Sequence, residues 1–95
     1  MPFELEFLPS ALKEWHGLGH TVRAQLKNKL AERLEQPKVP ADALRGLPGH
    51  YKIKLRAAGY RLVYRVEDAR VTVVVIAVGK RERSAAYASA RQRKS

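Results

Sequence analysis

Cysteine is absent from the 95 residues, which removes disulfide frameworks, thiol nucleophiles and zinc sites of the cysteine type and fits a reducing compartment. Long apolar runs and a charged-then-apolar leader are missing as well. Neither a membrane span nor a secreted precursor is therefore expected, and the chain reads as soluble and cytoplasmic. Standard catalytic kits are also missing: there is no phosphate-binding glycine loop, no Gly-x-Ser-x-Gly elbow and no carboxylate cluster to hold magnesium. His16, His20 and His50 have no neighbour at ligand spacing, so they are expected to be exposed or capping, with His50 the one that would line a site beside Lys52. No metal and no cofactor are expected.

Negative charge is scarce in one place in particular. The formal net charge is +10. Residues 1–43 balance six bases against six acids, whereas residues 44–95 carry thirteen bases against Glu67, Asp68 and Glu82. From Ala43 to Val66 there is no acid at all. A solvated mixed-sign surface would not segregate in this way, so a nucleic acid or another polyanion is the implied partner. An anionic membrane fits less well, because the bases follow a strand pattern and not an amphipathic helix.

That pattern runs from Tyr51 to Val66, where apolar and basic residues alternate on either side of a glycine turn. Successive strand residues face opposite sides. Tyr51, Ile53, Leu55, Tyr60, Leu62, Tyr64 and Val66 should thus form an apolar face, and Lys52, Lys54, Arg56, Arg61 and Arg65 a basic one. A turn at Ala58-Gly59, or from Ala57 to Tyr60, would set Arg56 against Arg61, Lys54 against Val63 and Lys52 against Arg65, with Gly59 supplying a positive φ. Like charges opposed across a sheet are destabilising, so folding alone would not select this face.

Around this hairpin the chain, residues 1–95, reads as one small domain. Phe3, Leu5 and Phe7 suggest a first strand. Pro9-Ser10 opens a helix with Ala11, Leu12 and Trp15 on its buried side, and Gly17 to Gly19 end it. A second helix runs from His20 or Thr21 to Gln36 on a stripe of Val22, Leu26, Leu30 and Leu34. Lys38 to Gly49 is a loop. Val71 to Val78 is apolar and β-branched, the mark of a central strand covered on both faces. Ser84 can cap a short alanine-rich last helix containing Tyr87, marginal by length, with a loose Arg-Gln-Arg-Lys tail. The fold class is α+β in the order β-α-α-β-β-β-α: a small, mainly antiparallel four-stranded sheet with a helical hairpin on one face and a short C-terminal helix, the helices segregated to one side.

A surface of lysine, arginine and tyrosine either binds phosphates or also cleaves them. Cleavage without a metal is open to RNA, whose 2′-hydroxyl is a built-in nucleophile. The protein then needs a base, charge stabilisation and an acid for the leaving oxygen. Lysines crowded among cations shift towards neutrality, which makes Lys52 or Lys54 usable as the base. Both readings stay open at this point.

Leu44-Arg45-Gly46, Tyr51 to Arg56, Gly59 to Tyr64 and Val78-Gly79-Lys80-Arg81-Glu82-Arg83-Ser84 resemble, in order and spacing, the RelE toxins of bacterial toxin–antitoxin pairs, and the likeness extends over essentially the whole chain. The resemblance implies an endoribonuclease that cuts mRNA in the A site of the 70S ribosome and leaves a 2′,3′-cyclic phosphate. It implies Lys52 and Lys54 as base and phosphate contacts, Arg61 on the phosphate charge, Arg81 on the leaving oxygen, Tyr87 against the base and Arg45 holding RNA. Arg56, Arg65, Lys80 and Arg83 would serve RNA or ribosome binding. It also implies a cognate RelB-type antitoxin whose acidic or amphipathic segment wraps the toxin and blocks its site, and operator DNA reached only through the antitoxin complex; no membrane partner is expected. The marginal last helix with Tyr87 can be displaced at little cost, which would disassemble the site without unfolding the domain. The alternatives are a non-enzymatic gyrase poison of the ParE type, which shares this fold, and a plain RNA-binding module.

Overall fold

The computed structural model describes residues 2–80 and 85–93, with backbone only for residues 85–87. The order is β1 (Glu4–Phe7), α1 (Pro9–His16), α2 (His20–Glu35), a single 3-10 turn (Pro40–Asp42), β2 (His50–Leu55), β3 (Tyr60–Glu67), β4 (Thr72–Lys80) and α3 (Ala85–Arg93). The strands lie in the order β1-β4-β3-β2. β1 runs parallel to β4, and the other two pairings are antiparallel. The run of β-branched residues in β4 is explained by its place: it has a strand on each side, and every residue from Thr72 to Val78 is buried.

Two apolar layers sandwich the sheet. On one face Ala11 of α1 and Leu26 and Leu30 of α2 pack on Ile53, Leu55, Leu62, Tyr64, Val73, Val75 and Val78. On the other, Ala90 of α3 and Leu47 of the long loop pack on Val63, Val74, Ile76 and Ala77. The helices are therefore not segregated to one side: α3 crosses to the face opposite the helical hairpin. An alanine-rich helix carries no stripe that selects a face, and the second face of β4 needed a cover.

A bulge in β4 allows this. Val63 opposes Ala77 whereas Tyr64 opposes Val75, which leaves Ile76 as the extra residue. A bulge puts two consecutive residues on one side of a strand, and Ile76 and Ala77 both join the layer under α3.

The basic hairpin keeps the expected faces but not the expected partners. Leu55 opposes Tyr60, Lys54 opposes Arg61 and Lys52 opposes Val63, so the loop comprises Arg56 to Gly59. Gly59 has φ +70° and donates its N–H to the Leu55 carbonyl at 2.9 Å. The difference from the sequence expectation is a slip of two residues, which alternation cannot detect because it leaves every side chain on its own face. Only one cation pair is directly opposed, not two.

Candidate active site

Opposed residues of an antiparallel pair share a face, so Lys52, Lys54, Arg61 and Arg65 stand on the side of the sheet that carries α3. Lys52, Lys54 and Arg61 are all half-buried. The Lys54 ammonium feels the nearby Lys52 charge most, then its own partial desolvation, then Arg61 and Arg56; together they hold its pKa below the usual lysine value, with Asp42 opposing. A depressed lysine pKa is what a proton acceptor needs near neutrality.

The remaining expected residues are placed less uniformly. Arg56 is exposed in the hairpin loop and not on the strand. Arg65 lies on the basic face but opposite His50, at the far end of the hairpin from Lys54 and Arg61. Its guanidinium is taken up by Glu67, through Nε at 3.1 Å and Nη2 at 2.6 Å. Glu67 also accepts from Arg70, which in turn reaches Glu6, so that end of the face is charge-compensated. Arg45 is exposed in the loop before Gly46, whose φ is +76°. Lys80 is exposed at the end of β4, opposite Tyr60. Tyr87 belongs to α3. Arg81 and Arg83 lie outside the described residues.

His50 departs from expectation. It is the first residue of β2 and only 5% exposed. Its Nδ1 lies 2.9 Å from the Pro48 carbonyl, which can only accept, so Nδ1 carries the proton. Nε2 is buried with no hydrogen-bond partner among the described residues.

Sequence reasoning missed the cluster beneath the lysines. Arg33 of α2 donates to the Lys52 carbonyl (3.1 Å), the Tyr64 hydroxyl (2.9 Å) and Asp42 (2.6 Å). Tyr64 in turn donates to the Pro37 carbonyl at 2.6 Å. This cluster ties α2 to β2, which is an edge strand, and to the long loop that carries Arg45. The available signal was slight: Arg33 sits between Leu30 and Leu34, at the margin of the apolar stripe.

A cavity of about 640 Å³ lies elsewhere, on the hairpin side of the sheet, lined by Leu5, Phe7, Trp15, Leu30 and Leu34 with Arg23 and Lys27. The cations stand on the opposite face, on a surface that a strand of nucleic acid can reach. Among the described residues no three His, Asp or Glu side chains gather as a metal site, and no helix is long and apolar enough to cross a membrane.

A family described as ParE toxin of type II toxin-antitoxin system, parDE, matches residues 5–85. The mRNA interferase toxin RelE of Escherichia coli (strain K12) is 59% identical over 93 residues, 98% of each chain. The solved structure of an arginine-to-alanine double mutant of E. coli toxin RelE in the free state has a TM-score of 0.90 at 57% identity, covering 98% of both chains. E. coli RelE within the intact RelBE toxin–antitoxin complex has a TM-score of 0.82 at 60% identity, over 85% of this chain and 99% of that one. The chain belongs to this family of toxins of type II toxin–antitoxin systems and, within it, to the RelE branch.

Proposed function

We propose that the face carrying Lys52, Lys54 and Arg61 is the cutting site of an endoribonuclease that acts on mRNA in the ribosomal A site. As a RelE-type mRNA interferase the chain is an enzyme. Residues 1–95 act as one toxin domain. The observation that carries the reading is the convergence of three cations on one face, with the Lys54 pKa pushed down.

In the proposed reaction Lys52 or Lys54 accepts the proton of an RNA 2′-hydroxyl, and that oxygen attacks the adjacent phosphorus. Arg61 stabilises the added negative charge. The bond from phosphorus to the 5′-oxygen breaks, Arg81 meets or protonates the departing oxygen, and Tyr87 stacks on or orients the base. The products are a 2′,3′-cyclic phosphate and a 5′-hydroxyl. Arg45, Arg56, Lys80 and Arg83 hold RNA backbone or ribosomal RNA. Arg65, neutralised by Glu67, contributes less.

The partner that restrains this activity is a RelB-type antitoxin in the cytoplasm, which lifts α3 away and covers the basic face; its complex with the toxin reaches operator DNA through the antitoxin. E. coli RelE is found in complex with RelB, which supports that part of the reading. Mapping mRNA 3′ ends after mixing the protein with programmed 70S ribosomes tests the function. Cuts within the A-site codon are expected. Intact mRNA on stalled ribosomes, or ribosomes left unaffected while gyrase is inhibited, contradicts it.

A further inference from the structure

α3 carries the residue proposed to orient the base, yet its described side chains give it little apolar grip. Its one buried side chain among them is Ala90, fully covered by Val63, Val74, Ile76 and Ala77. Nine residues are fewer than an isolated helix needs to persist in water, so something else must seat it.

That seat is at the last described residue. The Arg93 guanidinium donates two parallel bonds to Glu14 of α1, Nη1 to Oε1 at 2.8 Å and Nη2 to Oε2 at 3.1 Å. Such a forked pair fixes orientation as well as distance. Nη1 also donates to the carbonyl of the bulged Ile76 at 3.0 Å. Glu14 Oε1 accepts a second bond, from the Val78 backbone N–H at 3.1 Å. The site exists because β1 stops pairing with β4 at Val75, where the chain turns into α1. Beyond that point the edge of β4 is open, and Glu14 reaches it from the hairpin side while Arg93 reaches it from the other. The two side chains are 31% and 24% exposed, so the pair is partly shielded from solvent.

We propose that Glu14 and Arg93 form a latch across the open edge of β4 that sets the seating of α3, and that both are positioning residues for Tyr87, six residues ahead of Arg93 in the same helix. The helix is tied covalently to β4 at its start and by this latch at its end. Tyr87 lies between the two ties, so a loosened latch spreads the helix over many placements, few of them productive. This inference rests on the proposed part of Tyr87 in cleavage.

The test uses the full chain with Arg93→Ala, Arg93→Lys and Glu14→Gln. Amide exchange of residues 85–93 should quicken about tenfold or more in Arg93→Ala and Glu14→Gln, with β3 and β4 unchanged. On programmed ribosomes the maximal cleavage rate of both should fall about tenfold, with the half-saturating concentration unchanged, and Arg93→Lys should recover part of the loss. In a Tyr87→Ala background Arg93→Ala should cost nothing further, because the latch acts only through that residue. Glu14→Gln separates the latch from simple phosphate binding by Arg93: it leaves the arginine charge in place and removes an opposing one, so a phosphate contact would be strengthened. Unchanged exchange in α3, or an undiminished effect in the Tyr87→Ala background, overturns the proposal. If the parent chain fails to cut mRNA, the proposed function falls, while the exchange measurement still reports on the latch; should Arg93→Ala lose protection in β3 and β4 as well, Arg93→Lys and Glu14→Gln carry the test.

Discussion

Replacing Tyr64 by phenylalanine removes one oxygen and two hydrogen bonds from the centre of the fold. The ring is fully buried and stacked on Tyr51 at 5.7 Å, and the Arg33 guanidinium stands 5.8 Å from its centroid; all of that packing survives the change. What is lost is the bond to the Pro37 carbonyl and the bond received from Arg33. Arg33 keeps Asp42 and the Lys52 carbonyl, so its charge stays paired. Pro37 is buried, and its carbonyl keeps only the Val39 N–H at 3.2 Å. A hydrogen bond contributes about 0.5–1.5 kcal/mol net, and more when one partner is charged as Arg33 is, so losing two is expected to cost about 2 kcal/mol. For a domain of this size that lowers Tm by about 8–16 °C and moves the urea midpoint down by about 1–2 M with an unchanged m-value. Burial raises the Tyr64 pKa above the ordinary tyrosine value against the opposing pull of Arg33, so the hydroxyl stays protonated and the loss should be flat between pH 5 and 9. Cleavage measured well below Tm should stay within about twofold of the parent, because Lys52 remains held. A midpoint shift below about 0.3 M would refute the claim that the Arg33 and Tyr64 cluster ties α2 to the hairpin and the long loop.

Lys54→Met should abolish or cripple cleavage while raising the urea midpoint at pH 7. The folded-state pKa of Lys54 lies below its unfolded value, so its protonated form opposes folding below that pKa, and the gain from removing it should vanish as pH rises towards the ordinary lysine value; a lower midpoint at pH 7 would contradict this. If Lys54 is the base, the rate rises with pH to a plateau set by its depressed pKa, and Lys52→Met, which removes the largest cause of the depression, should move that inflection upward; an unmoved inflection excludes Lys54 as the base. In single-stranded RNA binding, Lys52→Ala should shrink the slope of log affinity against log salt by about 0.7. Arg65→Ala should leave that slope nearly unchanged, since Glu67 already holds its charge; equal changes would mean that Arg65 leaves Glu67 for RNA. Gly59→Ala meets open space but must hold φ +70°, so it should cost about 1 kcal/mol from backbone strain alone, read as a urea midpoint shift; no shift would mean that the loop relaxes.

The parts of the fold written in periodicity were legible. Leu26 and Leu30 are buried on α2, β4 is central, and the apolar and basic faces of the hairpin stand as alternation requires. What alternation cannot carry is register, because a slip of two preserves every face; this is why Lys54 meets Arg61 and not Val63. Pairing between neighbours on one face was also hidden. Arg65 and Glu67 are two apart on a strand and therefore adjacent, but an apolar–basic alternation does not say which cation that acid compensates. The tail shows the opposite error. Arg91 to Arg93, expected to be loose, are helical, and Arg93 is held by an acid 79 positions away, a contact no local pattern announces. His50 looked like a loop residue because the start of β2 at that position is set by Leu47 and Leu44 folding back on it.

In the proposed reaction this face cuts RNA through the RNA's own 2′-hydroxyl. The most direct measurement places a single 2′-deoxynucleotide immediately before the cleavage position of an mRNA on programmed ribosomes and maps the ends. This message is expected to stay intact while its all-ribose twin is cut to a 2′,3′-cyclic phosphate. Equal cutting of both would contradict it, since the nucleophile assigned to the reaction would then be absent.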